Sequence, residues 1–237
     1  EHTSAPLTIE LDAATRVTVP PHLAQQEVVE IQRANLGPGL EESVVVGLDA
    51  RREDGMNQAY ALVYAREDGR MVLQAELPLR EHFGRFENAW VNQDEPVLII
   101  NGASGNHFID LWVYRFGPRG PELLFANGSA AGAELRHNAT TPVPTIWIAV
   151  EDWTDPNWSF ASSERRWNVY VWDGRAFVYN ERLSSSKEMG PEERLVLYTM
   201  AITKKADHIR QERGPEIEER YRRARSGTTP QEAVAKP

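Results

Sequence analysis

The chain repeats one pattern of apolar and polar positions three times. Each copy has a short run of consecutive apolar residues, then an aromatic-rich run, a turn and a further β-like run. The apolar runs are 43–46, 96–99 and 145–148. The turns are Asp68-Gly69, Gly117-Pro118 and Asp173-Gly174. With Val44, Val97 and Ile146 taken as equivalent, the copies are spaced by 53 and 49 residues. The spacing therefore predicts one structural unit built three times.

The apolar runs and the segments before them predict different strand positions in a sheet. The preceding segments alternate polar and apolar residues, as a strand with one exposed face does. They are 27–33, 86–91 and 133–137. The apolar runs do not alternate, so both of their faces should be covered. This predicts stacked four-stranded antiparallel sheets with inner strands near 43–48, 96–101 and 145–150.

Segments outside the repeat body, which covers 25–187, have different patterns. Residues 1–24 predict a strand and a proline-stiffened lead-in. Residues 188–225 predict charged helices, and the first of these, about 191–211, carries apolar residues at helical spacing. This apolar stripe consists of Leu195, Tyr198, Ile202 and Ile209. Such a stripe needs a surface to bury, either on the repeat body or on a partner. Residues 226–237 are expected to be a disordered tail.

The amino-acid composition argues against several classes of function. The net charge is −9 and the basic residues are mostly dispersed, which argues against nucleic-acid binding. No apolar run approaches the roughly 20 residues needed to span a bilayer. The chain has no cysteine, and its histidines show no close metal-binding spacing. No acid–base or nucleophile constellation can be placed, so we expect neither an enzyme nor a cofactor.

The order of strand, loop, apolar strand, aromatic strand, turn and strand resembles the repeat of integrin-type (FG-GAP/VCBS-like) β-propellers over about residues 25–185. In that family the loop before the apolar strand carries an Asp-rich motif that binds calcium. The matching loops are 35–42, 92–95 and 138–141, and they have lost most of the carboxylates. The resemblance implies an all-β fold of three tandem four-stranded propeller-like blades, which the amphipathic helix predicted from the periodicity would follow. The lost carboxylates predict that the loops bind no metal. A closed propeller needs at least about four blades.

The loop after the third apolar run is the best candidate for a contact surface. Loop 151–160 alternates carboxylates with aromatic residues: Asp152, Trp153, Asp155, Trp158 and Phe160. Exposed indoles beside acids suit sugars or cationic groups. The alternative interpretation is that these indoles pack against the end of the sheets.

These features predict a non-catalytic interaction or scaffold module that docks on a protein partner or on a second copy. The reason is that three blades leave two unclosed ends. The alternative is a lectin-like, carbohydrate-binding protein that uses loop 151–160. The first residue is Glu1 rather than Met, which gives the expectation of a periplasmic or secreted protein whose signal peptide has been removed.

The missing loop carboxylates predict that the fold is independent of calcium. Thermal unfolding should give the same midpoint in EDTA and in millimolar calcium, because a calcium site needs several acidic oxygen ligands. A calcium-induced rise of the unfolding midpoint by more than about 5 °C would contradict this prediction. Such a rise requires that calcium binding stabilise the folded state by at least about 1 kcal/mol.

Overall fold

The computed structural model describes residues 7–13, 15–51, 57–79, 82–92, 95–104, 108–129, 132–138, 141–150 and 166–190, with seven separate positions between 196 and 211. The chain forms two compact units. The first contains residues 1–151 and 165–191, and the second contains residues 152–164 and 192–237. All strands of the described residues belong to the first unit.

The first unit is all-β, as predicted. A short 3-10 turn at Pro21–Leu23 precedes the repeat. The strands are β1 (Thr8–Asp12), β2 (Thr15–Thr18), β3 (Glu27–Ala34), β4 (Ser43–Arg51), β5 (Asn57–Glu67), β6 (Arg70–Leu79), β7 (His82–Asn92), β8 (Glu95–Ser104), β9 (Phe108–Gly117), β10 (Gly120–Ser129), β11 (Ala133–Asn138), β12 (Thr141–Val150), β13 (Arg166–Trp172) and β14 (Phe177–Tyr179).

These strands form three four-stranded antiparallel sheets and one hairpin. Sheet I contains β3 to β6, sheet II contains β7 to β10 and sheet III contains β11 to β14, with neighbours always consecutive in sequence. The predicted inner strands are confirmed as β4, β8 and β12, each paired on both sides. Each predicted turn joins the third and fourth strands of its sheet. At Asp68 and Gly69 both φ angles are positive, 46° and 80°, as a tight hairpin turn requires.

The lead-in forms a second strand, so that β1 and β2 make an N-terminal hairpin. Val17 and Val19 are fully buried, while the alternating residues Arg16 and Thr18 are exposed. This alternation gives the hairpin one apolar face. That face packs on sheet I, where Tyr64 donates a hydrogen bond to the carbonyl oxygen of Thr18 at 3.0 Å.

The core consists of three apolar layers between successive sheets. The layer between the hairpin and sheet I contains Val17, Val19, Leu23, Val44, Val46, Leu48, Leu62 and Tyr64. The layer between sheets I and II includes Val45, Val63, Leu77, Leu98, Ile100 and Trp112. The layer between sheets II and III includes Ile99, Val113, Phe125, Ile146, Ile148 and Tyr170. The packing order is therefore hairpin, sheet I, sheet II, sheet III.

The predicted alignment of the three copies is wrong by one residue in the second copy. Val44 faces the N-terminal hairpin, and Ile146 faces sheet II, so each faces the element that precedes its own sheet in the stack. Val97 instead faces sheet III, which follows its own sheet II. Leu98 faces the preceding sheet I. Side chains alternate along a strand, so a slip of one residue moves a position to the opposite face. The structural equivalents are Val44, Leu98 and Ile146.

The segment after β14 is fixed to sheet III by Asn168, which is fully buried in β13. Its amide nitrogen donates to the hydroxyl of Ser186 at 2.9 Å and to the carbonyl oxygen of Lys187 at 3.0 Å. Its amide oxygen accepts from the backbone N–H of Met189 at 3.1 Å. The segment thus occupies the place beside β13 that the three-residue strand β14 leaves open.

The C-terminal amphipathic helix stays a prediction, because its apolar stripe (Leu195, Tyr198, Ile202 and Ile209) lies outside the described residues. No α-helix is among the elements of the described part of the chain. Seven separate described positions there have helical backbone, are exposed and share the spacing of one helix face: Val196, Thr199, Met200, Thr203, Lys204, Asp207 and Gln211. The tail 226–237 also lies outside the description. Within the described residues, no helix has the length and apolar character needed to cross a membrane.

The layered core predicts a large cost for removing a side chain between sheets. Ile99 is fully buried between sheets II and III, so Ile99→Ala should lower the free energy of unfolding by about 2–5 kcal/mol. Leu123 is 51% exposed in sheet II, and Leu123→Ala should change it by less than about 0.5 kcal/mol. Urea denaturation measures both. Equal effects in the two variants would contradict the layered core.

Tyr64 predicts a loss of stability at alkaline pH. Burial, with a smaller contribution from the charge of Glu76, raises the pKa of Tyr64 from 10.0 to about 12. The folded state therefore keeps a proton that the unfolded state releases. This stabilisation is fully present below pH 10 and is lost as the pH rises to about 12.

Tyr64→Phe should make the urea midpoint less dependent on pH in this window. It should also cost about 0.5–1.5 kcal/mol near neutral pH, because the hydrogen bond to Thr18 is lost. Tyr60→Phe in the same strand is the matched control. An unchanged pH dependence in Tyr64→Phe would refute the assignment.

Candidate functional site

The contact loop predicted from the sequence lies outside the described residues. This applies to Asp152, Trp153, Asp155, Trp158 and Phe160. Their role as a contact surface therefore stays a prediction.

The outer face of sheet III, opposite the face packed on sheet II, carries an aromatic and charged cluster. Antiparallel pairing places Glu134 opposite Trp147, Arg136 opposite Thr145, and Trp167 opposite Ala149. Alternation along the strands directs these side chains away from the layer formed by Ile146, Ile148 and Tyr170. We call the cluster the Trp–Arg surface, and its members are Glu134, Arg136, Thr145, Trp147 and Trp167.

The Trp–Arg surface is organised around one cation. The guanidinium carbon of Arg136 lies 3.8 Å from the ring centroid of Trp147 and 5.0 Å from that of Trp167. Both distances fall within the range of a cation–π contact. The two indole rings meet edge to face, with centroids 5.9 Å apart and an interplanar angle of 73°. Each ring thus restrains the other and the arginine between them.

Hydrogen bonds fix the polar members of this surface. Arg136 donates to one carboxylate oxygen of Glu134 through Nε and Nη2, both at 3.1 Å. The indole N–H of Trp147 donates to the hydroxyl of Thr145 at 2.8 Å, and that hydroxyl donates to the carbonyl oxygen of Arg136 at 3.3 Å. The side chains are therefore held in place in the free protein.

The Trp–Arg surface is accessible at its tryptophans and charged groups. The side chains of Arg136 and Glu134 are 44% and 43% exposed, and both tryptophans are half-buried. Ala149 and Val169 on the same face are fully buried. The expectation that both faces of strand 145–150 are covered holds at Ala149 on this face, while Trp147 is covered only in part. Among the described strands, no further sheet packs on this face of sheet III.

The Trp–Arg surface offers two aromatic rings, one cation and several hydrogen-bonding groups, without a nucleophile positioned beside a base. Among the described residues, no group of three or more histidine, aspartate or glutamate side chains could hold a metal ion.

A concavity of about 770 Å³ lies between β10 and β14. Its walls include Phe125, Phe177 and Tyr179, together with the charged residues Lys187 and Glu188. Asn127 donates to the hydroxyl of Tyr170 at 3.0 Å, and Tyr179 donates to the carbonyl oxygen of Ser186 at 2.5 Å. This aromatic groove mainly offers apolar surface.

Sequence reasoning missed the Trp–Arg surface because Trp147 lies in an apolar run and was assigned to the core. A usable signal was present. Glu134 and Arg136, and likewise Thr145 and Trp147, are two residues apart, so each pair shares a face of its strand.

Comparison with known protein families and with curated proteins finds no match to this chain.

Proposed function

We propose that the chain is a non-catalytic interaction module that docks on a protein partner through the Trp–Arg surface. The observation that carries this proposal is the pre-organised, partly accessible set of Trp147, Trp167 and Arg136. Tryptophan and arginine dominate the binding energy of protein interfaces. Side chains that are already ordered lose less conformational entropy on binding.

The order of the sheets supports a partner with an aliphatic surface. In sheet I, the face that carries Val45 and Val63 packs on sheet II. In sheet II, the face that carries Ile99 and Val113 packs on sheet III. The corresponding face of sheet III carries the two tryptophans. A partner that presents aliphatic side chains would cover them as the next sheet does in the earlier copies.

We further infer that the three sheets are propeller-like blades. Each is a four-stranded antiparallel meander, and successive meanders pack face to face, as blades do. The C-terminal amphipathic helix and an extracytoplasmic location remain part of the proposal. So does loop 151–160 as an additional contact surface.

The second candidate function is carbohydrate binding. Two indole rings beside Glu134 and Thr145 combine stacking surfaces with hydrogen-bonding groups, as sugar sites do. However, the guanidinium of Arg136 already covers one face of Trp147 at 3.8 Å. A sugar would have to displace this cation, so the protein partner is favoured.

Affinity purification with the full chain, followed by reconstitution with the purified partner, tests the proposal. A stoichiometric protein should bind the wild type, and Trp167→Ala should weaken the reconstituted complex by about 30-fold or more, the loss expected of a hot-spot residue. Arg136→Glu should also weaken it. Leu123→Ala is the control, because Leu123 is exposed on sheet II.

Melting curves establish that each variant is folded. A partner that binds Trp167→Ala as tightly as the wild type would overturn the proposal. Glycan binding that is lost in Trp167→Ala, without a stoichiometric protein partner, would favour the lectin-like alternative.

A further inference from the structure

A cleft of about 620 Å³ opens between the loop after β3 and the β9–β10 hairpin. Its volume lies within the roughly 300–1,000 Å³ of typical ligand pockets. The described residues that line it include Pro38 and Pro96, Phe116 and the charged residues Arg115, Arg119 and Glu122. We call it the arginine cleft. It is separate from the Trp–Arg surface, because its walls come from sheets I and II.

The walls of the arginine cleft are preformed. In the loop after β3, Gly37 has a φ of +106°, and a side chain added there would lie 3.5 Å from the ring of Pro96. The backbone N–H of Leu36 donates to the carbonyl oxygen of Leu40 at 3.0 Å, and the N–H of Gly37 donates to the side-chain oxygen of Asn35 at 3.1 Å. These hydrogen bonds fix the loop, so that Pro38 is already held at one side of the cleft in the free protein.

Positive charge is concentrated at the arginine cleft. Arg115 donates to one carboxylate oxygen of Glu122 at 2.6 Å through Nη2 and at 3.2 Å through Nε. The hydrogen bond from Arg115 holds the pKa of Glu122 below its ordinary value, and the charges of Arg115, Arg175 and Arg119 lower it further. Three guanidinium groups therefore act on one carboxylate, although the chain as a whole has a net charge of −9.

The other nearby carboxylate does not neutralise this charge by direct pairing. Asp173 accepts hydrogen bonds from the backbone N–H groups of Arg175 and Ala176, both at 2.8 Å. Within the described part of the chain, neither Arg119 nor Arg175 forms an ion pair with a carboxylate. The guanidinium of Arg119, which lines the cleft, can thus meet an anion, and Arg175 adds positive charge near Glu122 from outside the lining.

We infer that the arginine cleft binds an acidic, extended polypeptide segment. The planar guanidinium group of Arg119 lines the cleft and matches a carboxylate, to which arginine can donate two parallel hydrogen bonds. Arg175 does not line the cleft, but its charge acts on the lining residue Glu122 and favours an acidic segment there. Pro38, Pro96 and Phe116 supply flat apolar walls, which suit an extended chain. This site is independent of the proposed function, and either can fail without the other.

Fluorescence anisotropy with the full chain tests the inference. The probe is a labelled peptide of Glu-Pro repeats, which is extended and acidic. A Gln-Pro peptide of the same length is the uncharged counterpart. The Glu-Pro peptide should bind at low ionic strength and dissociate as salt is added, whereas the Gln-Pro peptide should not bind.

The double variant Arg119→Gln with Arg175→Gln should weaken binding of the Glu-Pro peptide by about fivefold, the loss expected for one exposed ion pair in the cleft together with a second charge near it. The matched control is Arg70→Gln with Arg182→Gln. It changes the net charge equally, at two exposed arginines that neither line the cleft nor lower the pKa of Glu122. The control should bind as the wild type does.

Four results would overturn the inference. The first is a failure of the Glu-Pro peptide to bind, and the second is equal binding of the Gln-Pro peptide. The third is an equal loss of affinity in the control variant, which would indicate an effect of net charge alone. The fourth is equal affinity for a sulfated oligosaccharide, which would identify a general polyanion site.

Discussion

The face-to-face packing of the sheets is the constraint on which the rest of the structure depends. The inner strands of sheets I and II are apolar on both sides, so neither sheet can bury its core alone. Sheet I packs between the N-terminal hairpin and sheet II, and sheet II packs between sheets I and III. Among the described strands, sheet III has a neighbouring sheet on one side only. This order explains the position of the Trp–Arg surface, which lies on the face of sheet III that is turned away from sheet II.

Much of this architecture could be predicted from the sequence. Runs of consecutive apolar residues identify strands that are covered on both faces, and the repeat places them in three copies. The alignment was off by one residue at Val97 for a physical reason. In the run 96–101 nearly every position is apolar, so the period-two signal that distinguishes the two faces is absent there. Only the neighbours of Val97 and Leu98 in space show which face each one occupies.

The candidate surfaces depend on three-dimensional order that a single sequence does not contain. Trp147 looks like a core residue, and its partial accessibility reflects the position of sheet III in the stack. Arg119 and Arg175 lie in the hairpin turns of different sheets, and they act on Glu122 together only because sheets II and III are stacked. The contact residues predicted from the sequence, such as Trp153 and Trp158, lie outside the described residues.

The consecutive order of strands within each sheet has a consequence for how the chain folds. Every pairing within a sheet joins neighbouring segments, so the loops that must close are short and folding does not wait for distant parts of the sequence. The hairpin and sheet I together span residues 8–79, so their strands can pair while later residues are still being synthesised. The face of sheet I that carries Val45 and Val63 is covered only when sheet II packs on it. The sheets can thus assemble in order from the N-terminus, with each new sheet packing on the exposed apolar face of the sheet before it.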